Sequence, residues 1–265
     1  MRYSLLIVTL LAPVWAADTP TPQLDCGQSS FNIRGMVSVC RMSETTLAFA
    51  GSLGVTTPVG GVSVVGWDQP DVLVRARIEA AARTRAEAET LDWEVQATVV
   101  GNQVAAEGPG RGSHWAVTFE IFVPHAIDLT VAAKVGGISI ADVSGEIRFT
   151  AAMGGVSLKR LAGDAQGSTN MGGVAIELVG DHWDGKTLAV TTAMGGIDFH
   201  VPAGYSAHFT LSTSFGKINV QGLGTPAPTA GAGFGFSSAL TFDAGSGGAT
   251  ISAGAHLGGI AIHEI

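Results

Sequence analysis

The residues best suited to acid–base or metal chemistry lie together in one short loop: Asp181, His182, Trp183 and Asp184. Such a loop could bind a sugar or a metal ion, because it combines carboxylates, an imidazole and an aromatic ring. A glycosidase would also need a second carboxyl group at a defined separation, and the candidate partners are Asp164 and Asp198. The competing interpretation is a polar loop whose tryptophan packs back on the protein. The sequence favours the polar loop, and residues 181–184 are kept as a candidate ligand loop.

The other reactive side chains lack the spacing of catalytic or metal sites. Four histidines follow neither His-x-His nor His-Glu-x-x-His spacing: His200, His208, His256 and His263. No serine lies in a Gly-x-Ser-x-Gly turn, and no Gly-Gly pair opens a phosphate-binding helix. Calcium-binding repeats also contain Gly-Gly, but they add a third glycine and an aspartate that later copies here do not reproduce. The sequence therefore predicts no catalytic residue, no metal and no cofactor.

The two cysteines of the chain, Cys26 and Cys40, are close together in the sequence. In an oxidising compartment such an isolated pair favours a disulfide bond that closes a small loop, with a stabilisation of about 3 kcal/mol by chain entropy. A redox or metal pair would need a Cys-x-x-Cys motif or added histidine ligands. The sequence therefore predicts a structural disulfide in an N-terminal segment of residues 17–45.

The chain begins in the manner of a secretory signal peptide. Arg2 is followed by the apolar stretch 5–14 and then by the small residues Ala16 and Ala17, which is the charge, core and cleavage-site order of such a peptide. A membrane anchor is the alternative, but an apolar run of about ten residues is shorter than the roughly 20 that a span needs. We therefore expect residues 1–16 to be removed and the mature chain, without a membrane span, to reach the periplasm or the cell exterior.

Composition favours a β protein and excludes two classes of partner. Glycine makes up 37 of the 265 residues and charged residues only 14%, which is typical of turn-rich β structure. The formal net charge of −8, with no basic cluster, argues against nucleic acid and against an anionic membrane surface. One segment rich in Ala, Glu and Arg, residues 79–94, is the good helix candidate.

The C-terminal half contains a repeat marked by Gly-Gly before an apolar-x-apolar triplet. The pairs begin at Gly136, Gly154, Gly172, Gly195 and Gly258, with Gly216-Lys217 as a degenerate copy. Successive spacings are 18, 18, 23, 21 and 42 residues. Because the last spacing is twice its neighbour, we predict one further copy, distorted by the Pro- and Gly-rich insert of residues 224–235. Each copy is called a rung below.

Positions within the rungs predict which side chains face the core, because a strand alternates faces with period two. Residues two and four after the first glycine are apolar and inward: Ile138, Val156, Val174, Ile197, Ile218 and Ile260, then Ile140, Leu158, Ile176, Phe199, Val220 and Ile262. A second strand precedes each Gly-Gly. Its apolar positions lie seven residues before the pair (Ile147, Ala165, Leu188, Phe209, Ile251) and one residue before it (Met153, Met171, Met194, Phe215, Leu257). Its outward positions are Thr150, Ser168, Thr191 and Ser212.

A single rung has too little core to be stable, but stacked rungs bury like residues on like residues. The sequence therefore predicts an all-β fold, a single-domain parallel β-helix or β-solenoid over residues 46–265. It would have 18–23 residues per rung, as the spacings of the four regular copies indicate, and one short N-terminal helix.

The order of these elements also resembles a known family. Residues 60–68, then a charged strand, then Phe122-Val123-Pro124 and the repeated Gly-Gly-Ile-Ser-Ile rungs are similar to the exported bacterial "putative adhesin" domain family of unknown function. The resemblance covers residues 46–265 and carries no catalytic motif. It implies a β-solenoid fold and an envelope location, by analogy of fold alone.

We therefore expect an exported, non-enzymatic envelope or surface scaffold of the adhesin-like kind, with a polysaccharide or another envelope protein as partner. The alternative is a carbohydrate-active β-helix enzyme that uses acids near residues 181–186. Two or three carboxylates grouped with a lysine or arginine in a groove would favour the enzyme. A flat face of Ser, Thr and Ala would favour the scaffold.

Overall fold

The computed structural model describes residues 23–27, 33–110, 112–223, 229–230 and 237–265, so the predicted signal peptide lies outside the described residues. The first elements are β1 (Val37–Leu47), β2 (Ser52–Val59), β3 (Val62–Trp67), β4 (Val72–Ala82), α1 (Arg85–Glu94), β5 (Gln96–Val100), β6 (Gln103–Glu107), β7 (His114–Pro124), β8 (Asp128–Val135), β9 (Ile138–Ala141) and β10 (Ser144–Met153). They are followed by β11 (Val156–Lys159), β12 (Ala162–Met171), β13 (Val174–Glu177), β14 (Thr187–Met194), β15 (Ile197–Val201), β16 (Ala207–Phe215), β17 (Ile218–Gln221), β18 (Thr229–Ala230), β19 (Ser238–Ala244), β20 (Thr250–Leu257) and β21 (Ile260–Glu264).

The fold is all-β, with two large and mostly parallel sheets, and α1 is the one helix of the described residues. Sheet A has the strand order β1-β4-β7-β3-β9-β11-β13-β15-β21-β17. Sheet B has the order β18-β19-β16-β20-β14-β12-β10-β8-β2-β6-β5. Each rung thus contributes a longer strand to sheet B and, after the Gly-Gly pair, a short strand to sheet A. One continuous cluster of buried apolar residues includes side chains from both sheets.

Neighbouring rungs pair in register in both sheets. In sheet A, Val156 aligns with Ile138 on one side and with Val174 on the other. In sheet B, Ile147 aligns with Ala165. Like positions therefore stack on like positions at the strand separation of about 4.8 Å.

The Gly-Gly corners stack as well. Gly154 has a φ of 149°, a conformation that L side chains rarely adopt. A Cβ atom at this position would collide with the carbonyl oxygen of Gly136 in the neighbouring rung. The first glycine of the pair is therefore needed for two reasons, its backbone conformation and the close approach of the next corner.

The inward positions predicted for the short strands are confirmed. All twelve are buried except Val220, which is partly buried on the edge strand β17. The positions seven residues before Gly-Gly, such as Ile147 and Leu188, are also fully buried. Burial of each such side chain is worth roughly 1.5–3 kcal/mol, so this column supplies much of the stability of the fold.

The inward prediction is wrong for the residue just before each Gly-Gly. Met153 is 45% exposed and Met194 is 46% exposed, whereas the period of two predicts that both are buried. The alternation ends at Ala151, which is the last inward residue of β10. The next residue, Ala152, is left out of the register with both neighbouring strands, so the alternation is interrupted before Met153.

The order of the rungs in space departs from their order in the sequence at the C-terminal end. The rung with β20 and β21 does not follow the rung with β16 and β17; it lies between that rung and the one with β14 and β15. Where we expected a further copy within the long spacing, the described residues form β18 and β19 instead. β19 pairs antiparallel with β16 and with β18, so these two strands do not repeat the parallel pairing of the other rungs. Spacing along the chain reveals copies but does not reveal their order in space.

The helix is shorter than the Ala- and Glu-rich segment suggested. Residues 79–82 belong to β4, where Glu79 is 1% exposed and lies between β1 and β7. Pairing with two neighbouring strands overrides the helix propensity of this stretch. The helix begins after Thr84, whose hydroxyl accepts from the Glu87 amide while the Glu87 carboxylate accepts from the Thr84 amide. No helix in the described ranges is long and apolar enough to cross a membrane.

The predicted disulfide between Cys26 and Cys40 is confirmed, with Cα atoms 5.7 Å apart. It joins the segment 23–27 to β1. The backbone amide of Gln23 also donates to the Glu120 carboxylate at 2.8 Å, and the same carboxylate receives Arg75 Nη1 at 2.6 Å. Because β1 runs through residue 45, the expected boundary between residues 45 and 46 falls inside a strand.

Candidate ligand-binding face

The candidate ligand loop connects β13 to β14 and is anchored to the preceding rung. Trp183 is 4% exposed, and its indole Nε1 donates to the carbonyl oxygen of Gly163 at 2.8 Å. The carbonyl oxygen of Asp184 accepts a hydrogen bond from the Gly163 amide at 2.6 Å. The tryptophan therefore packs back on the protein, and its ring is not presented to a sugar.

The remaining side chains of this loop are exposed. His182 Nδ1 lies 2.6 Å from Asp181 Oδ1, and this hydrogen bond lowers the pKa of Asp181 below its ordinary value. The Asp181 side chain is 87% exposed and that of His182 is 64% exposed. Both side chains are hydrated, whereas catalytic acids and bases usually lie in desolvated surroundings that shift their pKa values.

The two carboxylates suggested as catalytic partners lie in different sheets. Asp164 begins the rung before the loop, and its Oδ1 accepts hydrogen bonds from the backbone amides of Lys186 and Thr187 at 2.9 and 3.1 Å. Asp198 lies on β15 of sheet A, with its Oδ1 3.4 Å from His263 Nε2. Asp164 therefore holds the end of the loop in place, and Asp198 belongs to another surface.

The histidines are dispersed over the surface. The rings of His200 and His263 stack with their centroids 5.8 Å apart on sheet A. On sheet B, His208 Nδ1 lies 2.7 Å from Asp243 Oδ1. Within the part of the chain that the structure describes, no group of three or more His, Cys, Asp or Glu side chains is placed to hold a metal ion.

The outer face of sheet B carries two rows of small and polar side chains, which we call the hydroxyl face. In spatial order the rows are Thr150, Ser168, Thr191, Gly254 and Ser212, and beside them Arg148, Gln166, Ala189, Ser252 and Thr210. The outward ladder predicted from the sequence is therefore present, with Gly254 inserted because β20 lies between β14 and β16. A shallow depression of about 510 Å³ lies over both rows.

A column of acids at the start of the sheet B strands was missed by the sequence analysis. Asp128, Glu146 and Asp164 occupy the same position in three successive rungs, eight residues before Gly-Gly. Asp128 Oδ1 accepts from the Glu146 amide at 2.8 Å, and the Glu146 carboxylate pairs with Arg148. Asp128, like Asp164, therefore joins one rung to the next, whereas the Glu146 carboxylate pairs within its own strand. The aligned repeat contained the signal, since position −8 is acidic in all three copies.

The outer face of sheet A forms an open groove of about 1030 Å³, which we call the glycine trough. Its floor consists of the second Gly-Gly residues and of the small outward side chains two positions further on: Gly137, Ser139, Gly155, Ser157, Gly173, Ala175, Gly196, Asp198, Gly259 and Ala261, continued by Lys217, Asn219, Gly61 and Ser63. The sequence identified these small positions but gave no sign that they form a concave surface.

Comparison with known proteins yields similarity only among solved structures. No family model and no curated protein matches the chain. A putative cell adhesion protein from Clostridium sporogenes is 14% identical, with 85% of this chain and 100% of that chain covered and a TM-score of 0.44. A putative adhesin from Bacteroides fragilis is 12% identical over 84% and 97%, with a TM-score of 0.43. A putative lipid binding protein from Parabacteroides distasonis is 11% identical over 84% and 97%, with a TM-score of 0.25.

Proposed function

We propose that this protein is an exported, non-catalytic envelope or surface scaffold that binds an extended polysaccharide along the hydroxyl face. The observation that carries the proposal is the register of that face. Five neighbouring strands of sheet B present two aligned rows in which every side chain except Arg148 is a hydroxyl, an amide or small. The rows repeat at the strand separation of about 4.8 Å, so a polymer with repeated hydroxyl groups can make the same weak contact several times.

In this proposal the protein has one β-solenoid domain of the adhesin-like kind over residues 46–265, with 18–23 residues per regular rung. Residues 1–16 are the export signal, and residues 17–45 are the segment closed by the Cys26–Cys40 disulfide. The disulfide supports an oxidising compartment, periplasmic or extracellular. The in-register stacking of the Gly-Gly corners supports the solenoid.

The candidate ligand loop has a secondary place in this proposal. It enters β14 directly, and β14 supplies Ala189 and Thr191 to the hydroxyl face. His182 and Asp184 can extend the contacts with the polymer beyond the start of that strand, while Trp183 packs against the protein. The enzyme alternative would instead need the acid column or this loop to hold free carboxyl groups at a set separation. Asp128 and Asp164 are already engaged by backbone amides, which weighs against that use.

The test is binding of the purified mature chain to bacterial and plant polysaccharides, with release of reducing ends measured in parallel. The double variant Thr150→Asp with Thr191→Asp should lose binding, because it places two charges on the hydroxyl face. Thr46→Asp is the matched control, since Thr46 is an exposed strand residue on β1. Both variants should retain the circular dichroism of the wild type.

Two outcomes would contradict the proposal. Binding that survives the double substitution would remove the hydroxyl face from the function, and capture of an envelope protein in place of any polysaccharide would replace the partner. Turnover of a polysaccharide that is abolished by Asp181→Asn with Asp184→Asn, or by Glu146→Gln with Asp164→Asn, would establish the enzyme instead.

A further inference from the structure

The residues just before the Gly-Gly corners form an exposed apolar column along one side of the protein. In spatial order they are Val135, Met153, Met171, Met194, Leu257 and Phe215, which pair in register from strand to strand. Each is between 38% and 51% exposed. Single exposed apolar residues are common on protein surfaces, but a contiguous row of six marks an interaction surface.

The glycine trough runs parallel to this apolar column. On each rung the trough begins two residues after the column residue, so Met153 is followed by Gly155 and Met171 by Gly173. A projecting row and a recessed row therefore lie side by side with the same repeat. Neither row requires any rearrangement of the chain to be exposed.

We propose that a second copy of this chain covers this surface, with the apolar column of each copy seated in the glycine trough of the other. A two-fold axis parallel to the stack of rungs exchanges the two rows and keeps every rung level with its own counterpart. Such an isologous contact satisfies both rows at once and closes at two copies. It leaves the hydroxyl face, on the other sheet, free for a ligand.

The spacing of the apolar column and the volume of the glycine trough favour a second copy over an unrelated partner. A row of projections about 4.8 Å apart fits best against a surface with the same repeat, and the trough of an identical chain has it by construction. The trough's 1030 Å³ extends over the six rungs and the adjoining strand β3, or about 150 Å³ for each of these seven strands, which is several times the ~30 Å³ share of one water molecule. That volume suits an aliphatic side chain such as methionine on every rung.

Charge also permits the contact, although each chain carries a net charge of −8. The column is flanked on its sheet B side by Lys134, Ala152, Asn170, Ala193, His256 and Ser214, among which only the lysine has a permanent charge. The trough contains one acid and one base, Asp198 and Lys217. The negative charge of the chain therefore lies mostly elsewhere, and two copies do not repel each other across this face.

The first measurement is the mass in solution, by sedimentation and light scattering of the mature wild-type chain at micromolar concentration. We expect twice the mass of one chain. Met171→Lys with Met194→Lys should raise the dissociation constant by roughly 100-fold or more, because two charges would be buried in an apolar contact. The matched control, Ser168→Lys with Thr191→Lys, places the same charges on the same two rungs of the hydroxyl face and should remain dimeric.

A second measurement tests the arrangement. An equimolar mixture of two single variants, Met171→Cys and Ala175→Cys, should form a mixed intermolecular disulfide on mild oxidation. Met171→Cys alone should not, since the column does not face itself. A monomeric wild type, or efficient cross-linking of Met171→Cys to itself, would overturn the proposal. Polysaccharide binding by the Met171→Lys with Met194→Lys variant separates this failure from failure of the proposed function, because its substitutions lie outside the hydroxyl face.

Discussion

Replacing Val156 by aspartate tests the inward register of the rungs. Val156 is 3% exposed and is stacked between Ile138 and Val174. The variant loses about 2 kcal/mol of apolar burial. A buried carboxyl group then either stays charged at high desolvation cost or takes up a proton. Protonation at pH 7 of a group whose ordinary pKa is about 3.9 costs at most about 4 kcal/mol. The expected loss of unfolding free energy at pH 7 is therefore about 6 kcal/mol, comparable with the whole stability of many domains.

The same reasoning predicts a pH dependence. Burial raises the folded-state pKa of the new carboxyl group above its unfolded value, so the variant binds more protons when folded. Its deficit relative to the wild type should shrink to about 2 kcal/mol as the pH falls toward 4, and should grow as the pH rises. The control is Ser157→Asp, which is one residue further along and faces outward; its effect should stay within about 0.5 kcal/mol.

Urea unfolding followed by circular dichroism at pH 4 and pH 7 measures both variants. Because Ser157 lies in the glycine trough, the comparison is made in the Met171→Lys with Met194→Lys background, where a subunit contact plays no part. Equal destabilisation at positions 156 and 157 would refute the inward register. A deficit at position 156 that does not change with pH would refute the reasoning about the buried charge.

Three further outcomes are expected. Gly154→Ala should lower the free energy of unfolding by more than about 2 kcal/mol, because the positive φ and the neighbouring carbonyl oxygen both oppose a Cβ atom. Gly155→Ala should be tolerated, because its Cβ atom would meet only ordinary contacts. Urea unfolding of the two variants measures the difference. The double substitution Cys26→Ser with Cys40→Ser should lower the free energy of unfolding by about 3 kcal/mol, measured by thermal melts. An unchanged melting temperature would argue that loop-closure entropy is not a source of stability here. Intact mass of protein from the native host should show a chain that begins at Ala17, and a mass that retains residues 1–16 would contradict export by cleavage.

The sequence predicted the core of the repeat well because one physical rule governs it. At Val156, Leu158 and Ile147 the side chain lies within a regular strand, where alternation with period two determines the face. The disulfide was predictable for a similar reason, since two isolated cysteines leave one pairing. These positions depend on local geometry and on composition, and both can be read from the chain.

The failures occur where tertiary contacts decide. Met153 follows the alternation in sequence but not in space, because the register with both neighbouring strands is interrupted at Ala152. Residues 79–82 have helix-forming composition, yet Glu79 is held in β4 by strands on both sides. The acid column is visible in the sequence as an aligned position. Its role depends on the structure, in which Asp128 and Asp164 accept hydrogen bonds from backbone amides of the next rung.

The C-terminal rung illustrates why a repeat does not determine its own stacking order. Every rung carries the same inward column, so any rung can stack on any other with similar burial, and local preference does not choose among the orders. The choice is made at the end of the stack. With β20 between β14 and β16, the last strands of the chain gain partners on both sides, and the rung of β16 and β17 becomes the terminal one. That terminal rung is then paired by the antiparallel β19, and the short strand β18 lies beyond β19 at the edge of sheet B. The pairing of residues 207–221 with the rest of the repeat thus passes through residues 250–264. Stability is therefore not a simple sum over neighbours in sequence, as it would be in a linear array.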